Sequence, residues 1–183
     1  GKSDFYTYII CIPAAGYFIL VAGGYSSERI KAFIIATIVY AVIIFTIDTI
    51  QTTGWCRALI ANYKNPDYSR SLLKSDIIGF PYKLALRSTV KWLLSFLVVP
   101  PAVYAMAGYS LLNFIPMIII PLMALINFNI MYFNAENSMG KILSDPDIRD
   151  SEPDYTKYRE LTLVRRIQLL SVSVVMMPMI IFG

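Results

Sequence analysis

Five long runs of apolar residues constrain the fold of this chain more than any other feature of its sequence. None of the runs contains a charged side chain, and most approach the roughly 20 residues that a helix needs to cross about 30 Å of hydrocarbon. With 57% hydrophobic and only 15% charged residues, the chain is too apolar for an ordinary soluble domain, in which about 25% of residues are charged. The sequence therefore predicts an all-α integral membrane protein. The runs cover residues 5–24, 32–47, 92–107, 111–133 and 167–182.

The limits of the predicted helices come from prolines and charges that flank these runs. The second helix is expected to end at Asn65-Pro66, because proline cannot continue a helix and disfavours helical geometry in the residue before it. The second and fourth helices are longer than a bilayer requires, so their last turns should leave the membrane. We expect a single transmembrane domain over residues 1–183, with helices at residues 5–24, 30–64, 83–107, 111–143 and 160–182.

The segment between the second and third predicted helices has two parts. Residues 69–78 place apolar and charged side chains on opposite helical faces, which is typical of a short helix lying at the lipid headgroups. Residues 79–82, with the sequence Gly-Phe-Pro-Tyr, are interpreted as an elbow before the third helix, since proline suits a first helical turn. The two long loops, after the second and fourth spans, are thus expected to be partly helical.

The distribution of positive charge indicates the topology. Thirteen of the 16 Lys and Arg residues lie in the two long loops, seven in the first and six in the second. Cytoplasmic loops of membrane proteins carry an excess of Lys and Arg, and two crossings separate these loops, so both are predicted to be cytoplasmic. The N-terminus is then cytoplasmic too. This topology accounts for the net charge of +4, and no nucleic-acid partner is expected.

Residue types that carry catalysis or bind metals are scarce. The chain contains no histidine, which excludes haem ligation by histidine, histidine-based zinc sites and Ser-His-Asp hydrolysis. The acidic segment at residues 145–154 lacks the central glycine and final glutamate of a calcium-binding loop, and it is interpreted as a solvated turn. We expect no catalytic residue, no metal site and no cofactor in this chain.

Two short phrases recur at nearly the same offset, which suggests an internal duplication. Asn-Pro-Asp at residues 65–67 corresponds to Asp-Pro-Asp at 145–147, and Leu-Ala-Leu at 84–86 corresponds to Leu-Thr-Leu at 161–163. Residues 32–101 and 113–178 would then be two copies of one unit, an arrangement common among multi-helix membrane proteins. A chance match between two apolar segments of low diversity is the alternative.

Polar residues within the predicted spans are candidates for ligand binding, because such groups are costly in a bilayer and often functional. Asp48 lies near the inner end of the second helix, where a position at the membrane interface is the favoured alternative. Asn127 and Asn134 share a face of the fourth helix, where hydrogen bonding to another helix is favoured over a ligand site. The ligand-binding candidates are Asp48, Asn127, Asn129, Tyr132 and Asn134.

A second group of candidates lies at the predicted inner membrane interface. Lys83, Arg87 and Lys91 recur every four residues and so form a basic stripe on one helical face. Basic and aromatic side chains anchor helices at the interface, and helices that extend from it into the cytosol can transmit a movement of the bundle. The interface and transmission candidates are Trp55, Arg57, Phe80, Pro81, Lys83, Arg87, Lys91, Trp92, Arg165 and Arg166.

Two parts of the sequence resemble one family of bacterial membrane domains. They are FPYKLAL at residues 80–86 with KWLL at 91–94, and LVRRIQLL at 163–170 with MPMII at 177–181. These phrases resemble the six-helix N-terminal membrane sensor domain that precedes HAMP linkers in class III adenylate and guanylate cyclases, chemoreceptors and related signalling proteins. The resemblance extends over residues 55–183.

The resemblance implies that the five predicted helices belong to a set of six. A sixth helix, a linker and a cytosolic effector would follow Gly183, in a protein of the bacterial inner membrane. A homodimer formed through the membrane domain is expected, with membrane lipids as the other partner. The segment would then be the regulatory membrane part of an enzyme such as an adenylate or guanylate cyclase, whose catalytic residues lie elsewhere.

Three functions compete on the basis of the sequence. The favoured one is a sensory or regulatory membrane domain that passes a conformational change to a cytosolic effector through its helix extensions. A small transporter or channel subunit is the alternative, suggested by the repeat and by the prolines within the spans. A membrane enzyme that uses carboxylates of the second long loop is the third, and it lacks a nucleophile with an adjacent base.

Overall fold

The computed structural model describes residues 13, 16–17, 24–110, 115–157 and 161–182. Over these residues every regular element is a helix, so the prediction of an all-α chain is confirmed. The predicted first helix, residues 5–24, lies outside the described residues except at positions 13, 16, 17 and 24. In chain order the helices are α1 (Ser27–Lys64), α2 (Arg70–Ala107), α3 (Ile115–Leu143), the short α4 (Pro146–Arg149) and α5 (Leu163–Phe182).

Three stretches of helix within the described residues are long and apolar enough to cross a membrane: α1, α2 and Ile119–Leu143 of α3. α1 and α2 each contain 38 residues, which corresponds to about 57 Å at 1.5 Å per residue. This length is nearly twice the hydrocarbon thickness of about 30 Å. Each of the two helices therefore has room for a span and for a projection of similar length.

α1 and α2 form an antiparallel hairpin whose turn is the segment at residues 65–69. α1 ends at Lys64 because Asn65-Pro66 follows, and the Ser69 side chain accepts a hydrogen bond from the backbone N–H of Leu72 at 3.5 Å, which caps α2. In the half remote from the turn, the small residues Ala32 and Ala36 are buried against Val99 and Val103. Small side chains of this kind let two helices approach closely.

α3 packs mainly on α2, and α5 packs on α3. Ala85 of α2 has no exposed surface and lies in one buried cluster with Phe128 and Met131 of α3 and with Leu161, just before α5. α2 is therefore the central helix of the described bundle. Gly108 ends it with a φ of 77°, a left-handed conformation that glycine adopts without the steric penalty of a Cβ atom.

The turn between α1 and α2 and the segment after α3 come together at one end of the bundle. Leu73 and Ile77 of α2 and Ile148 of α4 are completely buried against one another. The Tyr63 hydroxyl, at the end of α1, donates a hydrogen bond of 2.6 Å to Asp145. We call this end of the bundle, residues 55–82 and 135–157, the cap.

Two sequence-based expectations for α2 were wrong. Leu73 and Ile77, the apolar face of the expected headgroup helix, are covered by Ile148. The expected elbow at residues 79–82 is uninterrupted helix. A buried row at Leu73, Ile77, Pro81 and Ala85 repeats every four residues through the proline, so packing on one continuous face outweighs the backbone hydrogen bond that Pro81 cannot donate.

The two proposed repeat units share the position of their turns and differ in the segment after each turn. α1 ends just before the Asn-Pro-Asp sequence at residues 65–67, and α3 ends just before Ser144 and the Asp-Pro-Asp sequence at 145–147. In the first unit the next long helix begins at Arg70, whereas in the second unit α5 begins only at Leu163. The duplication stays a prediction.

Replacing Leu73 with alanine tests the packing of the cap. Leu73 has no exposed surface, so removing its side-chain atoms leaves a cavity, and we expect a loss of about 2–5 kcal/mol in the free energy of unfolding. Unfolding by SDS in mixed micelles, followed by circular dichroism, measures this loss. Leu86→Ala on the same helix is the matched control, because Leu86 is 45% exposed. An equal loss in both variants would contradict the packing described for the cap.

Candidate functional site

A buried ion network joins α1 to α2. Asp48 of α1 is 4% exposed, and its Oδ1 atom lies 3.0 Å from Nη2 of Arg87 and also pairs with Nζ of Lys91. The Thr52 hydroxyl, one turn further along α1, lies 3.5 Å from the same oxygen. We call Asp48, Arg87 and Lys91 the Asp48 network.

The hairpin explains why these three residues meet. Asp48 and Arg87 lie at nearly equal distances along the chain from the turn at residues 65–69, so an antiparallel arrangement brings them face to face. Arg87 and Lys91 are four residues apart and share one face of α2. One carboxylate on α1 thus meets two successive cations on α2, and sequence reasoning had singled out all three residues without pairing them.

The network carries more positive than negative charge, with one carboxylate for two cations. Its side chains are 5%, 14% and 11% exposed for Asp48, Arg87 and Lys91, and the Arg87 Nη1 atom is buried with no hydrogen-bond partner among the described residues. A buried ion pair is sensitive to the loss of one partner, because the remaining charge is then uncompensated. The network therefore fixes the alignment of α1 with α2. It also leaves one uncompensated positive charge between them.

Trp55 extends the network towards the cap. The Nζ atom of Lys83 lies 4.3 Å from the centre of the Trp55 ring, and the guanidinium carbon of Arg87 lies 4.7 Å from it. Both distances are within the range of cation–π attraction. Trp55, Phe80 and Lys83 also line a groove of about 370 Å³ between α1 and α2. Four predicted interface residues, namely Trp55, Phe80, Lys83 and Arg87, are thus brought together.

The polar residues of α3 hold neighbouring helices. The Asn127 side chain, which has no exposed surface, donates a hydrogen bond of 2.8 Å to the Ser88 hydroxyl of α2. The Asn129 side chain donates one of 3.3 Å to the carbonyl of Leu169 in α5. Asn134 lies on the exposed side of α3. Asn127 therefore makes the interhelical hydrogen bond expected from the sequence, whereas Asn134, for which the same bond was expected, is exposed, and the bond of Asn129 was not predicted.

A second ion pair joins α3 to α5. Arg166 Nη1 lies 2.5 Å from Glu136, and the Arg166 guanidinium lies over the ring of Tyr132 at 5.5 Å. Arg166 Nε also donates a hydrogen bond of 2.7 Å to the carbonyl of Leu161. Glu136 was not a sequence-based candidate, since nothing local in the sequence distinguishes it from a solvated residue at a helix end.

The candidate ligand-binding residues do not surround one cavity in the described part of the chain. Asp48 lies between α1 and α2, Asn127 between α2 and α3, and Asn129 between α3 and α5, because each is held by a different pair of helices. Tyr132 is buried in the α3 core and Asn134 is exposed.

The remaining interface candidates are also dispersed. Arg57 and Arg165 are exposed, and Pro81 is buried within α2. Trp92 packs beside Ile119 and Met123 of α3.

The acidic segment of the cap is organised by hydrogen bonds. The Tyr63 hydroxyl lowers the pKa of Asp145, and the side chain and backbone N–H of Thr156 lower that of Asp154. Each of these depressed pKa values contributes stability above the ordinary carboxyl pKa, and the contribution is lost as the pH falls through the depressed value. Within the described ranges, no three side chains of His, Cys, Asp and Glu are grouped so that they could hold a metal ion.

No protein-family model, curated protein or solved structure matches the chain. The resemblance to the membrane domains of cyclases and chemoreceptors therefore stays a prediction.

Replacing Asp48 with asparagine tests the buried ion network. Arg87 and Lys91 would then be buried without a counter-charge, and we expect a loss of about 3–5 kcal/mol in the free energy of unfolding. SDS unfolding in mixed micelles provides the measurement. Asp150→Asn is the control, because Asp150 pairs with Arg149 in an exposed ion pair whose side chains are 64% and 69% exposed, and we expect a change below about 1 kcal/mol. A similar small loss in both variants would refute the network.

Proposed function

We propose that this chain is an integral membrane domain in which the cap projects into the cytosol. α1 supports this assignment, because only 11% of the residues in its most apolar stretch are buried. Ile38, Val42 and Phe45 of that stretch are more than half exposed, and so large an apolar face is unfavourable in water. In a bilayer, lipid would cover it.

The observation that carries the proposal is the level at which the helices become charged. The apolar stretch of α1 ends at Asp48 and that of α2 begins after Lys91, and these two residues form an ion pair. On the other side of the bundle, α3 becomes charged at Glu136 and α5 becomes apolar after Arg166, and these two are also paired. Each ion pair thus lies where an apolar stretch meets a charged one. We assign the Asp48–Lys91 pair to the inner surface of the membrane, and the Glu136–Arg166 pair, nine residues along α3 from the Asn127–Ser88 contact, lies about 13 Å nearer the cap than that contact.

The orientation follows from the charge distribution. The cap and the helix segments that adjoin it contain most of the Lys and Arg residues. Positively charged segments remain in the cytoplasm. The bacterial inner membrane, a cytoplasmic N-terminus and a total of six helices are parts of the same proposal. They follow from the positive charge and from the family resemblance.

We propose a sensory or regulatory role for this membrane domain. The Asp48 network and Trp55 lie where α1 and α2 pass from the span into the cap, and the cap is packed around Leu73 and Ile148. A shift of α1 relative to α2 would therefore move the cap, which is the kind of rigid-element movement that switching proteins use. A cytosolic effector and a second copy of the domain would receive that movement.

A transporter or channel subunit is the second candidate function. Buried polar groups favour it, because the Asn127 Oδ1 atom is fully buried and has no hydrogen-bond partner in the part of the chain that the structure describes. Prolines also lie within α2 and α3, as in transporters with interrupted helices.

Cysteine labelling tests the membrane location and the orientation. With Cys11 and Cys56 replaced by serine, single cysteines are introduced at Tyr109, which is 63% exposed, and at Lys64 of the cap. An impermeant maleimide added to intact cells should label Tyr109→Cys, and it should label Lys64→Cys only after the membrane is permeabilised. Labelling of Lys64→Cys in intact cells, or release of the protein from membranes by alkaline carbonate, would refute the proposal.

Hydrogen exchange and flux measurements separate the two functions. In lipid nanodiscs we expect Asp48→Asn to raise amide exchange in residues 144–157 of the cap, because the network links the span to the cap, while Asp150→Asn should change exchange only near its own position. Unchanged exchange in the cap of Asp48→Asn would contradict the regulatory role. Ion or solute flux through proteoliposomes above that of protein-free liposomes would favour the transporter.

A further inference from the structure

The groove between α1 and α2 is large enough to hold a small ligand. Its volume of about 370 Å³ is at the lower end of the range for small-molecule sites, about 300–1,000 Å³. One wall comes from the end of α1, a second from the start of α2, and Lys157 closes one side from the segment after α4. Its lining includes Trp55, Asn62, Phe80, Tyr82, Lys83 and Lys157.

Positive charge in the groove is available to a ligand. Lys83 and Lys157 are exposed, and neither has a carboxylate oxygen within 4.0 Å among the described residues. Lys157 is near enough to Asp154 to help lower the pKa of that carboxyl, and Lys83 lies over the Trp55 ring.

The carboxylate of Asp76 also lines the groove and keeps its negative charge while it accepts a hydrogen bond of 2.9 Å from the Tyr68 hydroxyl, so the two lysines outnumber one carboxylate in the lining. Arg87 does not line the groove and pairs with Asp48, but its guanidinium carbon lies 4.7 Å from the centre of the Trp55 ring. An anion would therefore meet two ammonium groups, with a guanidinium nearby.

The aromatic and amide groups restrict the kind of anion. Trp55, Phe80 and Tyr82 provide apolar surface beside the two lysines, and the Asn62 side chain can donate a hydrogen bond. A small hydrated ion would leave this apolar surface unused. A ligand that joins a charged phosphate to an organic group would cover both.

The depth of the groove relative to the proposed membrane favours a lipid as its ligand. Trp55 lies about two helical turns, or about 10 Å, beyond Asp48. If Asp48 and Arg87 mark the inner limit of the hydrocarbon, the headgroup layer extends about 5–8 Å beyond them. Lys83, about 6 Å from Arg87 along α2, then lies within this layer, and Trp55 lies about 2–5 Å past it. Aromatic side chains with an apolar body and a polar edge are favoured near this interface.

We propose that this groove binds the headgroup of an anionic phospholipid, with the phosphate between Lys83 and Lys157 and the headgroup against Trp55. The inference rests on the proposed membrane location, because it depends on the depth assigned to Asp48. It adds a specific ligand class at a defined place in the cap. A soluble organic phosphate has the same recognition chemistry and is an outcome that the experiment distinguishes.

The test is a titration of the detergent-solubilised protein with short-chain lipids. Trp92→Phe leaves Trp55 as the only tryptophan, so its fluorescence reports on the groove. Dihexanoyl phosphatidylglycerol should change the Trp55 emission saturably, and dihexanoyl phosphatidylcholine should do so only at much higher concentration. We expect Lys83→Gln and Lys157→Gln each to raise the Kd for phosphatidylglycerol about fivefold, and the double variant about 25-fold. Lys141→Gln, an exposed lysine of the cap that does not line the groove, should leave the Kd unchanged.

Each other outcome overturns the inference. Equal binding of the two lipids, or an equal effect of Lys141→Gln, would show that the groove does not recognise the phosphate headgroup. Binding of glycerol 3-phosphate or inorganic phosphate as tightly as the lipid would identify a soluble ligand.

Circular dichroism establishes that each variant is folded, and Lys83→Arg should retain binding. Loss of lipid binding with intact cysteine labelling would refute this inference alone, whereas failed labelling would refute the membrane proposal.

Discussion

The burial of one carboxylate fixes the relation between the first two helices. Asp48 is almost fully shielded, and a charge in that position must be paired or it becomes strongly unfavourable. Both of its partners belong to α2, so α1 is held in one register. A shift of α1 by one residue would rotate Asp48 by about 100° away from Arg87 and Lys91. The same register places Trp55 beneath Lys83 and forms the groove.

The cap is stabilised in a different way. Its centre is apolar, with Leu73, Ile77 and Ile148 completely buried. Its periphery is polar, since Lys74 donates hydrogen bonds of 2.6 Å to the carbonyls of Arg149 and Ser151, and the Ser75 hydroxyl accepts one of 2.7 Å from the N–H of Asp154. Several contacts thus hold the segment after α3 against α2. The two long loops are one packed unit rather than two separate surface segments.

Local patterns predicted the helices well and their partners poorly. The charge-free runs indicated the long apolar helices, and the Asn65-Pro66 pair marked the end of α1, because both signals act within a few residues. The amphipathic pattern at residues 69–78 was identified correctly but assigned to lipid, since the residue that covers it, Ile148, is distant in sequence. Pro81 was interpreted as part of an elbow because proline has a low helix propensity. The buried residues that recur every four positions on both sides of Pro81 show instead that one helical face continues through it.

The candidate site shows the same limit. Asp48 and the basic stripe were both candidates from the sequence. Counting equal numbers of residues outward from the turn at residues 65–69 would have placed Asp48 opposite Arg87. The Glu136–Arg166 pair had no such signal, because 19 residues lie between the end of α3 and the start of α5, too many for the two helices to be aligned about a short turn. Pairing across a short hairpin can therefore be predicted from the sequence, and pairing across a long connection cannot.

Shared cations connect the groove to the ion network. Lys83 and Arg87 both lie over Trp55, and Arg87 also pairs with Asp48. An anion bound beside Lys83 would attract Arg87 towards the groove and so compete with Asp48 for it. Because such coupling is reciprocal, any movement of α1 that weakens the contact between Asp48 and Arg87 would in turn favour anion binding. The place where a headgroup would bind is thus also the place where a shift between α1 and α2 changes the electrostatics most.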